Sequence, residues 1–398
     1  MLDVGWPVDA ALNPYAPGAG RQPSELAGRE NQIKVWTDTI KRSQTGKDNR
    51  PLALTGMRGV GKTVLLARFA ALAREADWIV GEVEVIPKQP LGRSLSEAFY
   101  PALVDIAQPS IGDRLKKALK TFASFKASYS SDGSWHFGLD LDESRGGGAD
   151  TGHLEQDLGK LFIDLQEGAD EAGTGVAVLI DEAQDLSSDD MAALSAALQV
   201  SMRRSPHRLI IAVAGLPSLP GRLAEARSYA ERQFTYHDIG PLDSTATEQA
   251  ITQPARNEGV EWDADAVAYI HDESAGYPFF VQQFGDSTWN TATGSPITLT
   301  DTQIGVAHGQ RELDNGFFKA RWDRATEAER AYMRAMTEDD PDVSQSGQIA
   351  RRLGRKPQSL GPARANLINK GLIYAPEHGQ IAFTVPKMAD FINRQHET

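Results

Sequence analysis

Two kinds of apolar pattern alternate through the first 240 residues. Leu52–Thr55 and the runs at 78–86, 175–180, 208–214 and 234–239 are short, apolar and bounded by turn residues. Their length and β-branched content predict five buried strands. Between them apolar side chains recur every three or four positions. Ile33, Trp36 and Ile40 fall on one face of a helix, and 64–72 has the same spacing. Strands alternating with helices predict an α/β fold with a parallel sheet covered on both faces. Residues 1–24 are rich in Pro, Gly and Ala and predict an extended arm.

One stretch breaks the rhythm. Residues 113–126 form an amphipathic basic helix with Leu115, Leu119, Phe122 and Phe125 on its apolar side. Residues 135–141 alternate like a strand, and Arg145-Gly-Gly-Gly148 reads as a joint. Residues 108–150 are therefore read as an insertion in a sheet domain spanning 25–240. From 241 the pattern is helical, at about 245–258, 263–275, 277–292 and 299–319, and predicts a helical domain over 241–325. Residues 326–398 read helix, helix, helix, hairpin, short helix, the order of a winged helix-turn-helix.

Composition narrows the picture. The chain has 398 residues, 40% of them apolar, which predicts two or three domains with their own cores. It has no cysteine, so disulfides, thiolate metal sites and a cysteine nucleophile are excluded. Apolar runs such as 176–180 are far shorter than the roughly 20 residues of a membrane-spanning helix. No secretory pattern opens the chain, so a cytoplasmic location without membrane insertion is expected. The eight histidines show no metal-ligand spacing.

The first candidate chemistry follows strand one. Gly56-Met57-Arg58-Gly59-Val60-Gly61-Lys62-Thr63 fits the G-x-x-x-x-G-K-[ST] phosphate loop. Glycines let backbone N–H groups turn around phosphate oxygens, and the helix opening at Val64 adds its positive end. Lys62 is expected on the β- and γ-phosphates and Thr63 on Mg²⁺. A second motif closes the third strand, where 176–180 runs into Asp181 and Glu182. Asp181 is expected to hold Mg²⁺, and Glu182 to polarise the water that attacks the γ-phosphate. The adjacent acid favours ATP over GTP, and Asn369-Lys-Gly-Leu fails as a guanine motif. Asp181-Glu-Ala-Gln184 also looks like a helicase box, but the arginine motif and second motor domain of such helicases are missing.

With Leu26-Ala-Gly-Arg29-Glu30 before the first strand, these motifs resemble origin-recognition-like AAA+ and STAND ATPases of bacteria and archaea. The resemblance implies a sheet ordered 5-1-4-3-2, a helical lid, and ATP between them. It implies a finger arginine serving a neighbouring subunit at Arg232, with Arg227 as a rival, and Arg29 in the nucleotide pocket. Two departures stand out. The fourth strand runs into Gly215-Leu216-Pro217, with no polar sensor at its tip. The lid carries Gly276-Tyr277-Pro278 in place of a sensor arginine; Pro278 either touches adenine or simply opens a helix.

Charge is uneven. The net charge is −13, from 41 basic and 54 acidic residues. Yet 343–370 holds Arg351, Arg352, Arg355, Lys356, Arg364 and Lys370 and no acid. In a helix-turn-helix, Gln358 and Arg364 fall on or near the reading helix, and the arginines before it suit phosphates of double-stranded DNA. A protein-contacting winged helix is the alternative. The 113–126 helix is a second basic island, read either as a packed helix with a solvated face or as a surface for nucleic acid, a membrane or a partner. The expectation is an ATPase switch coupled to DNA or a partner protein, with self-association open. A nucleotide-dependent scaffold with negligible hydrolysis is its rival.

Overall fold

The structure, a computed structural model, describes residues 8–18, 20–106, 112–129, 148–204, 207–339 and 343–395. It divides into two compact units. One holds 29–56 and 62–238; the other holds 1–28, 57–61 and 239–398. The strand expected at 135–141 and the joint at 145–147 lie outside the described residues.

The first unit opens with α1 (Glu30–Gln44), β1 (Leu52–Thr55), α2 (Lys62–Glu75), β2 (Ile79–Glu84) and α3 (Leu91–Ile106). It continues through α4 (Asp113–Tyr129), α5 (Leu154–Glu171), β3 (Val176–Asp181), α6 (Ser188–Met202) and β4 (Leu209–Gly215). α7 (Leu219–Ala226), α8 (Ala230–Gln233) and β5 (Thr235–Asp238) complete it. The strands are parallel in the order β2-β3-β4-β1-β5, which read from the other edge is 5-1-4-3-2. Successive side chains of a strand point to opposite faces. Every residue of β1 is nevertheless buried, so both faces are covered there. β2 lies at an edge, and only the first part of the 78–86 run pairs, with Ile86 exposed.

The 113–126 helix is a core element. Leu115, Leu119, Phe122 and Phe125 are buried in one cluster with α3 and α5. Two of its five cations are engaged. Lys126 is buried over the Tyr100 ring, and Lys117 pairs with Asp164 at 2.8 Å. Asp164 also takes Lys160 and, at 2.6 Å, the Thr121 hydroxyl. The packed-helix reading accounts for these residues.

In the second unit the arm is anchored instead of freely extended. Asp9 caps a single 3-10 turn over Ala10–Leu12. Tyr15 is buried, donates to the Ile251 carbonyl at 2.6 Å and meets Trp262 and Trp289 edge-on. Its partners lie on or beside α9 (Ser244–Asn257), α10 (Ala264–Ser274) and α11 (Pro278–Thr291). α12 (Leu299–Glu312) passes through a π-turn at Leu313–Phe318 into α13 (Lys319–Asp323). Gly276 joins α10 to α11 with φ +66°, and a Cβ there would fall 2.0 Å from the Leu242 carbonyl, so only glycine fits.

The chain ends with α14 (Glu327–Met336), β6 (Ser344–Gln345), α15 (Ser346–Arg352), α16 (Gly361–Asn369), β7 (Ile373–Tyr374), β8 (Gln380–Phe383) and α17 (Met388–Arg394). The three strands form a sheet in the order β6-β8-β7. The order of elements here is helix, short strand, two helices, two strands and a closing helix. The helix expected at 357–370 starts with a 3-10 turn, Pro357–Leu360, because Pro357 and Pro362 carry no N–H for a regular ladder.

Candidate functional site

In the sheet unit, β1 feeds the phosphate loop and β3 ends on the two acids, with β4 between them. The C-terminal ends of these parallel strands therefore gather the motif residues on one edge. Lys62 opens α2, is buried, and donates from Nζ to the Gly56 carbonyl at 2.8 Å. Thr63 Oγ1 donates to Asp181 Oδ2 at 2.5 Å. Residues 118 positions apart thus meet at the head of one helix. Burial pushes the Asp181 carboxyl up, and the Thr63 hydrogen bond opposes that shift. Asp181 Oδ1 also accepts from the Glu182 N–H at 2.8 Å. Glu182 has a left-handed backbone, φ 52°, which is uncommon outside glycine.

A further residue joins this group. Gln184 Nε2 donates to Glu182 Oε2 at 2.5 Å, and Gln184 Oε1 accepts from the Leu216 N–H at 2.9 Å. In the sequence Gln184 stands out only as the last residue of the Asp181-Glu-Ala-Gln184 string, with no role of its own. The signal for its role is spatial: glycine at 215 leaves room for the amide.

The other site residues expected in this unit sit apart by type. Arg29 is the buried residue before α1, and burial pushes its guanidinium down. Arg232 is exposed on α8. Its rival Arg227 is tied to Glu155 at 2.6 Å.

The second unit holds the loop tip, 57–61. Gly59 and Gly61 have φ of +86° and +96°, which glycine adopts without strain. The Arg58 N–H donates to the Thr384 carbonyl at 3.1 Å. Tyr277, buried, stands so close that a Cβ on Gly59 would lie 3.0 Å from its ring. Burial, with Arg58 beside it, pushes Arg321 down to about 10. Tyr277 entered the sequence reading only inside the Gly276-Tyr277-Pro278 string and Arg321 not at all, because Gly59 and Arg58 lie more than two hundred residues from them. Val60 is buried in the same loop, while Met57 is half-buried; Val64, in the sheet unit, lies in the first turn of α2. Pro278 occupies the first turn of α11, a position that suits its fixed φ and missing N–H.

Two cations of the basic island are engaged within the module. Arg352 is occupied within the module: it donates to the Ala335 carbonyl at 2.7 Å and pairs with Asp339 at 2.5 Å and Glu338 at 3.3 Å. Lys370 pairs with Glu329 at 2.6 Å. Arg351, Arg355, Lys356 and Gln358 are exposed, and Arg364 is half-buried on α16.

No curated protein matches the chain. Residues 25–211 match the family described as AAA ATPase domain, and 315–392 match one described as Domain of unknown function (DUF8462). Among solved structures, the Walker-type ATPase of Pyrococcus abyssi aligns over 96% of this chain and 99% of its own. Its TM-score is 0.56 at 16% identity. The ORC2 protein of Aeropyrum pernix in its ADP form aligns over 98% and 99%, with TM-score 0.53 and 14% identity. At such identities the likeness speaks for the fold. Residues 25–211 are thus similar to the AAA ATPase domain family, and the chain shares its fold with these two ATPase structures.

Proposed function

We propose that the protein binds ATP with Mg²⁺, hydrolyses it, and uses its C-terminal module to bind double-stranded DNA. The observation that carries the first part is the 2.5 Å contact of Thr63 with Asp181, beside Lys62 and Glu182. The residues fit the ligands. Positive-φ glycines suit a backbone cradle for phosphate. A hydroxyl and a carboxylate are hard oxygen donors, the kind that bind Mg²⁺ alongside substrate phosphates.

In this reading Lys62 exchanges the Gly56 carbonyl for β- and γ-phosphate oxygens. Thr63 and Asp181 hold Mg²⁺, which neutralises phosphate charge. Glu182 accepts a proton from water as the water oxygen bonds to the γ-phosphorus. The bond from that phosphorus to the bridging oxygen then breaks, leaving ADP and phosphate. Arg29 lines the nucleotide pocket. Arg232, exposed and outside any ion pair among the described residues, is the better finger for a second copy's site. In the C-terminal module, Arg351, Arg355, Lys356 and Arg364 meet DNA phosphates and Gln358 lies near the base edges. Titrating ATP with Mg²⁺ into wild type and Lys62→Ala tests the first step. Saturable binding to the wild type alone is expected; equal binding by both contradicts it.

One observation favours a second reading, a nucleotide-dependent scaffold with negligible hydrolysis: the tip of β4 carries no polar side chain. Phosphate release by the wild type no faster than by Lys62→Ala would favour it.

A further inference from the structure

We infer that Gln184 is a positioning residue for Glu182, supplying from the end of β3 the polar group that the tip of β4 lacks. This rests on the hydrolysis reading above. Gln184 is 4% exposed, within the 3-10 turn Ala183–Asp185 that follows the acids. Burying an amide is unfavourable unless its donor and acceptor are both used, and here both are. Nε2 grips Glu182 at 2.5 Å, and Oε1 takes the Leu216 N–H at 2.9 Å. One side chain therefore spans from the acid after β3 to the first residue beyond β4.

The neighbouring residues are shaped to allow this. A Cβ on Gly215 would lie 2.9 Å from Gln184 Oε1 and 2.9 Å from Leu219 Cδ2, so a larger residue there displaces the amide. Glu182 stands in an unfavourable left-handed backbone, which its neighbours must hold. A carboxylate gripped through one oxygen has the direction of the other set by that grip. Orientation matters for a proton acceptor, since a misplacement of about 1 Å costs on the order of 100-fold in rate. The same amide couples Glu182 to the β4 tip, so a shift of Leu216 moves the acid.

The test is steady-state phosphate release from ATP with Mg²⁺, with ATP affinity measured alongside. Gln184→Met keeps the length and removes both hydrogen bonds. It is expected to lower kcat about 10- to 100-fold while KM and ATP affinity stay within about threefold. Gln184→Glu keeps an acceptor for the Leu216 N–H and loses the donor to Glu182, so kcat should fall comparably; this variant carries the test if Gln184→Met does not fold. In a Glu182→Gln background, Gln184→Met should lower the residual rate no further, because it acts through Glu182. If Glu182→Gln is inactive but Gln184→Glu turns over within about twofold of wild type, the inference fails and the hydrolysis reading stands. Defects that multiply in the double variant also overturn it. Wild-type turnover by Glu182→Gln overturns both.

Discussion

Asp164 and Lys62 show how single residues divide between holding the fold and holding a ligand. Burial alone would push the Asp164 carboxyl up, but hydrogen bonds from Lys117, Lys160 and Thr121 outweigh it and hold it below the usual carboxylate range. A depressed value means stability that is present above that range and lost as pH falls through the depressed value. Asp164→Ala should therefore lower unfolding stability by about 1–3 kcal/mol at neutral pH. Denaturant melts should show the gap to wild type closing below roughly pH 4; a constant gap would contradict this. Lys62 is different. Its Nζ donates to the Gly56 carbonyl inside the phosphate loop, so Lys62→Ala should abolish ATP binding.

Among elements, α15 and α16 carry the sharpest distinction. Arg352, exposed like Arg351, Arg355 and Lys356, ties α15 to the acids after α14. Arg352→Ala is expected to destabilise the protein by about 1–2 kcal/mol without changing the salt dependence of DNA binding. Replacing Arg351, Arg355, Lys356 and Arg364 with alanine should weaken binding at low salt and flatten the salt slope. No DNA binding by the wild type at low salt would refute the assignment and favour a protein partner. Elements such as these were largely legible in the sequence. Strand runs such as Leu52–Thr55 are set by local apolar content, and the phosphate loop and Asp181 by motif spacing. What escaped depended on long-range contacts. The acids that occupy Arg352 stand just before the acid-free window, and Gln184 meets Leu216 across two strand ends. The π-turn at Leu313–Phe318 has no apolar period of its own and merged with the helix before it.

At the scale of the molecule, the net charge of −13 is unevenly spread, with basic stretches at 113–126 and 343–370 on an otherwise acidic chain. Arg232, exposed on α8, suits a role in a second copy, while Arg227 is engaged by Glu155. Solution mass should therefore rise when a non-hydrolysable ATP analogue replaces ADP. Arg232→Ala should slow turnover at high protein concentration about 10- to 1,000-fold, and Arg227→Ala far less. Equal effects would remove the distinction. Everything rests on turnover at Glu182. Steady-state phosphate release by wild type and Glu182→Gln, with ATP binding measured on the same samples, is the most direct measurement. Binding should be retained and release reduced at least about 100-fold in the variant; unchanged release by Glu182→Gln, or release by the wild type no faster than by Lys62→Ala, would contradict it.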